Sequence, residues 1–192
     1  MAAKPGERKL QILQTVAHML EQPRSEKVTT AALAAKLDIS EAALYRHFAS
    51  KAQMFEGLIE FIEQTLFGLM NKISAEESSG MKQVEAMLAM LLGFAQKNRG
   101  MTRVLIGDAL VNEDERLQLR INQLFDRLET TLKQSLRIAV SQNELAGDDD
   151  VGARANLLLC YVTGRWQQFG KGGFTRDPMA QWAQQWPLLA GR

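Results

Sequence analysis

The residues best suited to chemistry in this sequence lie in one short stretch, 28–51, which reads V-T-T-A-A-L-A-A-K-L-D-I-S-E-A-A-L-Y-R-H-F-A-S-K. On a short helical segment here Leu44 and Phe48 are spaced to enter a core, which leaves Glu41, Ala42, Ala43, Tyr45 and Arg46 more exposed. Small side chains at 42 and 43 let a helix backbone come close to base edges, and their methyls can touch a thymine methyl. Arg46 has the fork for a bidentate contact to guanine. Thr29, Thr30, Tyr45, His47 and Lys51 supply donors that can hold phosphates, which fix register without reading sequence. Singly, each residue also suits a helical hairpin whose polar side chains face water. Only the combination and its spacing point to DNA.

Such a surface needs two short helices set at an angle. The spacing predicts one over Thr30–Leu37 and a second over Glu41–Phe48, with Ser40 as N-cap and a tight turn at Leu37-Asp38-Ile39. Leu33, Leu37, Ile39, Leu44 and Phe48 are spaced to share a small core. This is the layout of a helix-turn-helix, whose second helix stands out to enter the major groove. A preceding helix opens at Pro5, carries the stripe Leu10, Leu13, Val16, Ala17 and Leu20, and is expected to stop at Pro23.

Beyond residue 51 the helical period continues. A long helix capped by Ser50 runs to about Ile73, with Phe55, Leu58, Ile59, Ile62, Leu66, Leu69 and Ile73 as its core stripe. Ser78-Ser79-Gly80 breaks the pattern, and a helix from Met81 to about Lys97 follows. Asn98 to Gly100 breaks it again. Then come a short helix at Met101–Ile106, Gly107, and a long helix over about Glu113–Gln142. A turn at Gly147 to Asp150 supplies an Asp cap for a helix with the stripe Val151, Ala155, Leu158, Leu159, Val162, Trp166 and Phe169. Lys171-Gly172-Gly173 ends it, and a last helix from Pro178 places Trp182 and Trp186 on one face. Nothing reads as a strand. The expected fold is all-α, with a three-helix DNA-binding domain at 1–51 and a helical regulatory and dimerisation domain at 52–192.

Composition agrees with that reading. The chain is 46% hydrophobic with four prolines in 192 residues, enough apolar surface for a core and few breaks in its helices. A total charge of +1 hides an asymmetry. Residues 1–51 hold eight Lys/Arg against five Asp/Glu (+3), and the remainder 15 against 17 (−2). A mildly basic head suits contact with phosphates, although an imbalance this small also arises by chance. The single cysteine, Cys160, follows Leu157, Leu158 and Leu159 and is expected to be buried. The first residues lack the plan of a secretion signal, and the longest apolar run, Ala86 to Ala95, is about half what a bilayer crossing needs. A soluble, cytoplasmic, nucleoid-associated protein with no membrane partner is the expectation.

The pattern T-T-x-x-[LI]-A-x-x-x-x-[IV]-S-x-x-x-L-Y-x-H-F-x-S-K, present at 29–51, resembles the signature of the TetR family. Asp38 departs from it, because the family commonly has Gly in that turn. Asp tolerates a left-handed backbone better than most residues. The resemblance implies a homodimer that sets two recognition helices in successive major grooves of double-stranded DNA, about one turn apart. Higher-order association on DNA is left open. S-E-A-A-L-Y-R-H-F, G-L-I-E-F-I-E, L-L-G-F-A-Q-K-N and R-I-N-Q-L-F-D-R-L-E, spread over 40–129, further resemble the nucleoid-occlusion members of that family. This implies a protein that antagonises polymerisation of the division GTPase FtsZ when DNA-bound. It also implies that Phe61, Met90, Gly93, Lys97 and Asn98 hold the FtsZ tail. Periodicity is compatible with such a groove, since Phe61 falls off the long helix's stripe with Met54, Gly57 and Gly68, and Met90, Gly93 and Lys97 fall opposite theirs. The same pattern also suits a fifth helix buried all round, with Phe61 and Met90 packed on neighbouring helices.

The dimer seam is expected at Leu117, Ile121, Leu124 and Leu128 with Leu158, Val162 and Trp166. Burial inside one subunit would produce the same stripes. A competing role is a repressor released from its operator by a small molecule, which needs a cavity in the body. An enzyme is disfavoured. The sequence has no phosphate-cradling glycine loop, no metal-ligand spacing between His18 and His47, and no Cys–His pairing, and no cofactor is expected.

Overall fold

A computed structural model describes residues 5–22, 28–148 and 150–191. The helices are α1 (Pro5–Leu20), α2 (Thr30–Lys36), α3 (Glu41–Tyr45), α4 (Lys51–Glu76), α5 (Gly80–Lys97), α6 (Arg99–Leu105), α7 (Glu115–Ser141), α8 (Val151–Lys171) and α9 (Trp182–Ala190). A 3-10 turn lies at Asp108–Leu110. Among the described residues there is no strand, and no helix is long and apolar enough to cross a membrane. The all-α expectation holds. Pro23, expected to stop α1, lies outside the described residues, as does Asp149 of the 147–150 turn.

The chain forms two compact units, 1–62 with 98–121 and 63–97 with 122–192. They do not divide at the expected 51/52 boundary, because both α4 and α7 contribute to each.

In the first unit Ile12, Val16, Leu20, Leu33, Leu44, Phe55, Leu58 and Val104 form the core. α6 lies so close to α1 that a Cβ on Gly100 would sit 1.8 Å from the Ala17 carbonyl oxygen. The expected break at 98–100 is therefore a helix start, and its glycine serves packing rather than a turn. Arg103 reaches back to the end of α1, donating to the carbonyls of Leu20 (3.4 Å) and Gln22 (3.2 Å), and pairs with Asp108 at 2.6 Å. Cationic donors there satisfy carbonyls that the helix leaves without partners.

In the second unit Leu66, Met70, Leu88, Leu91, Leu132, Leu136, Leu158, Val162 and Trp166 are fully or almost fully buried. The Trp166 indole donates to the Leu91 carbonyl at 3.1 Å, tying α8 to α5. The start of α5 meets α7 backbone to backbone, since a Cβ on Gly80 would lie 2.2 Å from the Ala139 nitrogen. Its first amides are capped from a distance. Gly80 N–H donates to Gln142 Oε1 (2.9 Å) and Met81 N–H to Glu144 Oε2 (2.8 Å). Ser135, buried in this layer, donates to Gln83 Oε1 at 2.9 Å, and the Gln83 amide donates to the Glu77 carbonyl at 2.7 Å.

Several expectations need correction. α3 ends at Tyr45 rather than Phe48. The chain then tightens, with His47 and Phe48 amides both donating to the Leu44 carbonyl, because Phe48 turns inward against Gly57. Met54 and Gly57, grouped with Phe61 by periodicity, belong to this core instead. Leu69 is 41% exposed, and Met70 takes its place in the stripe. Leu10 is likewise exposed. Cys160 is exposed, on the α8 face opposite the buried stripe. α9 begins at Trp182 rather than Pro178, because Gln181 takes a left-handed backbone with φ +66°.

Candidate nucleic-acid interface

Each helix of the 28–51 segment starts on a hydroxyl. Thr29 Oγ1 accepts from the Ala32 amide and Ser40 Oγ from the Ala43 amide, both at 3.1 Å. These caps set where α2 and α3 begin. Between them Asp38 has φ +53°, the left-handed turn that the sequence asked this residue to accept. The Thr30 hydroxyl donates to Glu41 Oε2 at 2.6 Å and joins the first turns of the two helices. Buried Leu33, Leu44 and Phe48 seat α3 from beneath.

What remains outward is the face named from sequence. Glu41, Ala42, Tyr45 and Arg46 are exposed, Ala43 is half-buried, and Thr29 is exposed beside half-buried Thr30. Among the described residues Tyr45, Arg46 and His47 have no side-chain hydrogen bond or ion pair. Lys51 differs. Its ammonium lies 2.5 Å from Glu113 Oε1, with side chains only 23% and 12% exposed. The sequence gives no sign of Glu113 as a partner, since 62 residues separate the pair and Glu113 belongs to no spacing motif.

The residues attached by resemblance to the FtsZ tail are placed separately in the two units. In the first, Phe61 and Asn98 are half-buried, and the Asn98 carbonyl accepts from the amide and hydroxyl of Thr102 (2.9 and 3.0 Å). In the second, Met90 and Gly93 are half-buried and Lys97 is exposed, all on one side of α5, where a Cβ on Gly93 would meet nothing within 4 Å. That side of α5 is therefore open rather than buried all round.

The expected dimer residues have a different fate. Leu117, Ile121, Leu124, Leu128, Leu158, Val162 and Trp166 are at 1% exposure or less within one chain. They form the subunit's own core and have no surface to give a partner. On α8 the outward side instead carries Ala153, Leu157, Cys160 and Gly164, with Leu157 59% exposed and open space beside Gly164. Periodicity separates the two sides of α8 but does not say which faces the subunit's own core and which a second subunit.

Two electrostatic details bear on element ends. The Asp114 carboxyl is held down at about 2, chiefly by the side-chain hydrogen bond from Arg116. Asp150, the cap of α8, accepts from the amides of Ala153 and Gly152, and these hold its pKa below the usual value.

Residues 25–58 match the bacterial regulatory proteins of the tetR family, and 78–192 match the tetracyclin repressor-like C-terminal domain of the SlmA type. The chain is 51% identical to the nucleoid occlusion factor SlmA of Alteromonas mediterranea over 185 residues, covering 96% of this chain and 95% of that protein. It is 47% identical to the SlmA of a Marinomonas strain, covering 99% and 96%. Among solved structures it resembles a TetR transcription regulator from Haloarcula marismortui, with TM-score 0.82, 16% identity and 97% of both chains covered. It also resembles the fatty acid degradation regulator FadR from Bacillus halodurans, with TM-score 0.81, 14% identity and 98% and 97% covered. The last two establish the fold alone.

Proposed function

The chain belongs to the SlmA family of nucleoid occlusion factors on a TetR-type fold, and from that premise we propose how it works. It binds specific chromosomal sites as a homodimer and, when DNA-bound, antagonises FtsZ polymerisation, which blocks septum formation over the nucleoid. The observation that carries this reading is identity near one half along almost the whole chain, body as well as head. A shared DNA-binding head alone would allow any TetR-type role.

α3 reads base edges through Ala42, Ala43 and Arg46, while Thr29, Thr30, Tyr45, His47 and Lys51 serve the backbone phosphates. For the FtsZ tail we assign the α5 face of Met90, Gly93 and Lys97, whose exposed ammonium suits an acidic peptide. Phe61 and Asn98, which the resemblance also implies, lie in the other unit, and Phe61 is tested on its own. The seam between subunits falls on the outward side of α8.

The test is sedimentation of FtsZ polymer with GTP, with and without a duplex recovered by selection from a random-sequence pool. Polymer should fall only when protein and selected duplex are both present. Lys97→Glu, and separately Phe61→Ala, should remove the effect and leave duplex affinity unchanged. An undiminished polymer pellet under all conditions refutes the FtsZ role, and undiminished FtsZ binding in both variants refutes the site.

A further inference from the structure

Lys51 opens α4 beside α3 and belongs to the proposed phosphate anchors, yet its ammonium is already engaged. Glu113 holds it at 2.5 Å, and the Phe55 ring centroid lies 5.6 Å from Nζ. Leu20, Val28, Phe55 and Arg103 line a cavity of about 280 Å³ together with both members of the pair. Glu113 stands in a segment fixed by backbone geometry. Its amide donates to the Leu110 carbonyl at 3.0 Å, and the preceding Asn112 has φ +64°. The nearby cation Arg103 has its own carboxylate, Asp108, so Glu113 is not needed to neutralise it.

A carboxylate on an ammonium offers what a DNA phosphate would offer: anionic oxygen at hydrogen-bond distance. A phosphate approaching Lys51 meets a neutralised pair, and it also faces the Glu113 charge. We propose that Glu113 is an internal competitor for the phosphate, held on Lys51 in the free protein and exchanged for DNA on binding. The exchange sets the protein's affinity for duplex below what its cations alone would give. This rests on the DNA-binding reading above.

The experiment measures anisotropy of a fluorescein-labelled 24-base-pair duplex of arbitrary sequence, because a phosphate contact is indifferent to sequence. Glu113→Gln should tighten binding roughly two- to fivefold, the span of a partly exposed ion pair. Glu113→Asp, which keeps the charge but shortens the reach, should also tighten it. Lys51→Met should weaken binding and flatten the log–log salt slope by about one. In the Lys51→Met background the gain from Glu113→Gln should vanish. Thermal unfolding of each variant by circular dichroism confirms that folded proteins are compared.

Unchanged or weaker binding by Glu113→Gln overturns the competition and makes Glu113 a support for Lys51. A gain that persists without Lys51, or that Glu113→Asp fails to reproduce, also overturns it in favour of a general charge effect. If the unaltered protein binds neither this duplex nor a selected one at low salt, the DNA-binding reading falls and the competition with it.

Discussion

At the scale of single residues, the proposed interface separates into unengaged and engaged groups. Arg46 sits at the end of α3, exposed and without a side-chain partner among the described residues, so none of their contacts depends on its guanidinium. Arg46→Ala should leave the melting temperature unchanged and cost about 1–3 kcal/mol in binding a selected duplex, the worth of one bidentate base contact. Anisotropy against single-base variants should show the loss concentrated at one base-pair position in each half-site. A loss spread evenly over all sequences would make Arg46 a phosphate contact instead. The face it belongs to was legible because spacing alone fixes which residues of a short helix share a side. The state of Lys51 was not legible, because its partner is distant in sequence. The apolar neighbours of Cys160 along the chain point to burial, yet at 100° per residue it falls opposite the α8 stripe to which Leu158 and Leu159 belong.

At the scale of elements, helix starts and stripes were readable from local chemistry, and close approaches were not. Ser40, Ser50 and Asp150 each accept from the amides that a cap should satisfy. Gly80 and Gly100 read as breakers because glycine usually is one, whereas both occupy helices at points where a neighbouring backbone excludes a Cβ. Gly100→Ala should therefore destabilise the first unit by about 3 kcal/mol or more, the upper end for overpacking, with no helix-propensity gain able to offset it. Urea unfolding measures this, and a neutral result would mean that α1 and α6 can separate freely.

Asp150 gives a pH-dependent counterpart. Its folded pKa lies below its unfolded one, so its stabilisation is present above the ordinary carboxylate range and is lost as pH falls through the folded value. Asp150→Ala should lower the melting temperature at pH 7, and the gap from the unaltered protein should shrink as pH drops through and below 4. A gap constant with pH would mean that the carboxylate charge contributes nothing to the cap.

At the scale of the whole molecule, the seven apolar residues expected at the seam are consumed by the subunit's own core, and the proposed dimer has to use what remains. On α8 the remainder is a side of small or apolar residues, Ala153, Leu157, Cys160 and Gly164, spaced every three or four positions so that they align. Small residues let two such helices approach closely across a twofold axis, and Leu157, 59% exposed in one chain, is the largest apolar side chain among them. Leu157→Arg places a charge where its twofold mate would stand opposite it. Closing the seam would strip water from two like charges that also repel each other, while the subunit interior, which Leu157 does not enter, is untouched. Sedimentation velocity should show a monomer with an unaltered melting profile of its helices. Binding to a selected duplex should fall by orders of magnitude, because the second recognition helix no longer arrives tethered to the first. Binding to a single half-site should change little. A Leu157→Arg protein that still sediments as a dimer would move the seam off α8, and with it the geometry that spaces the two recognition helices.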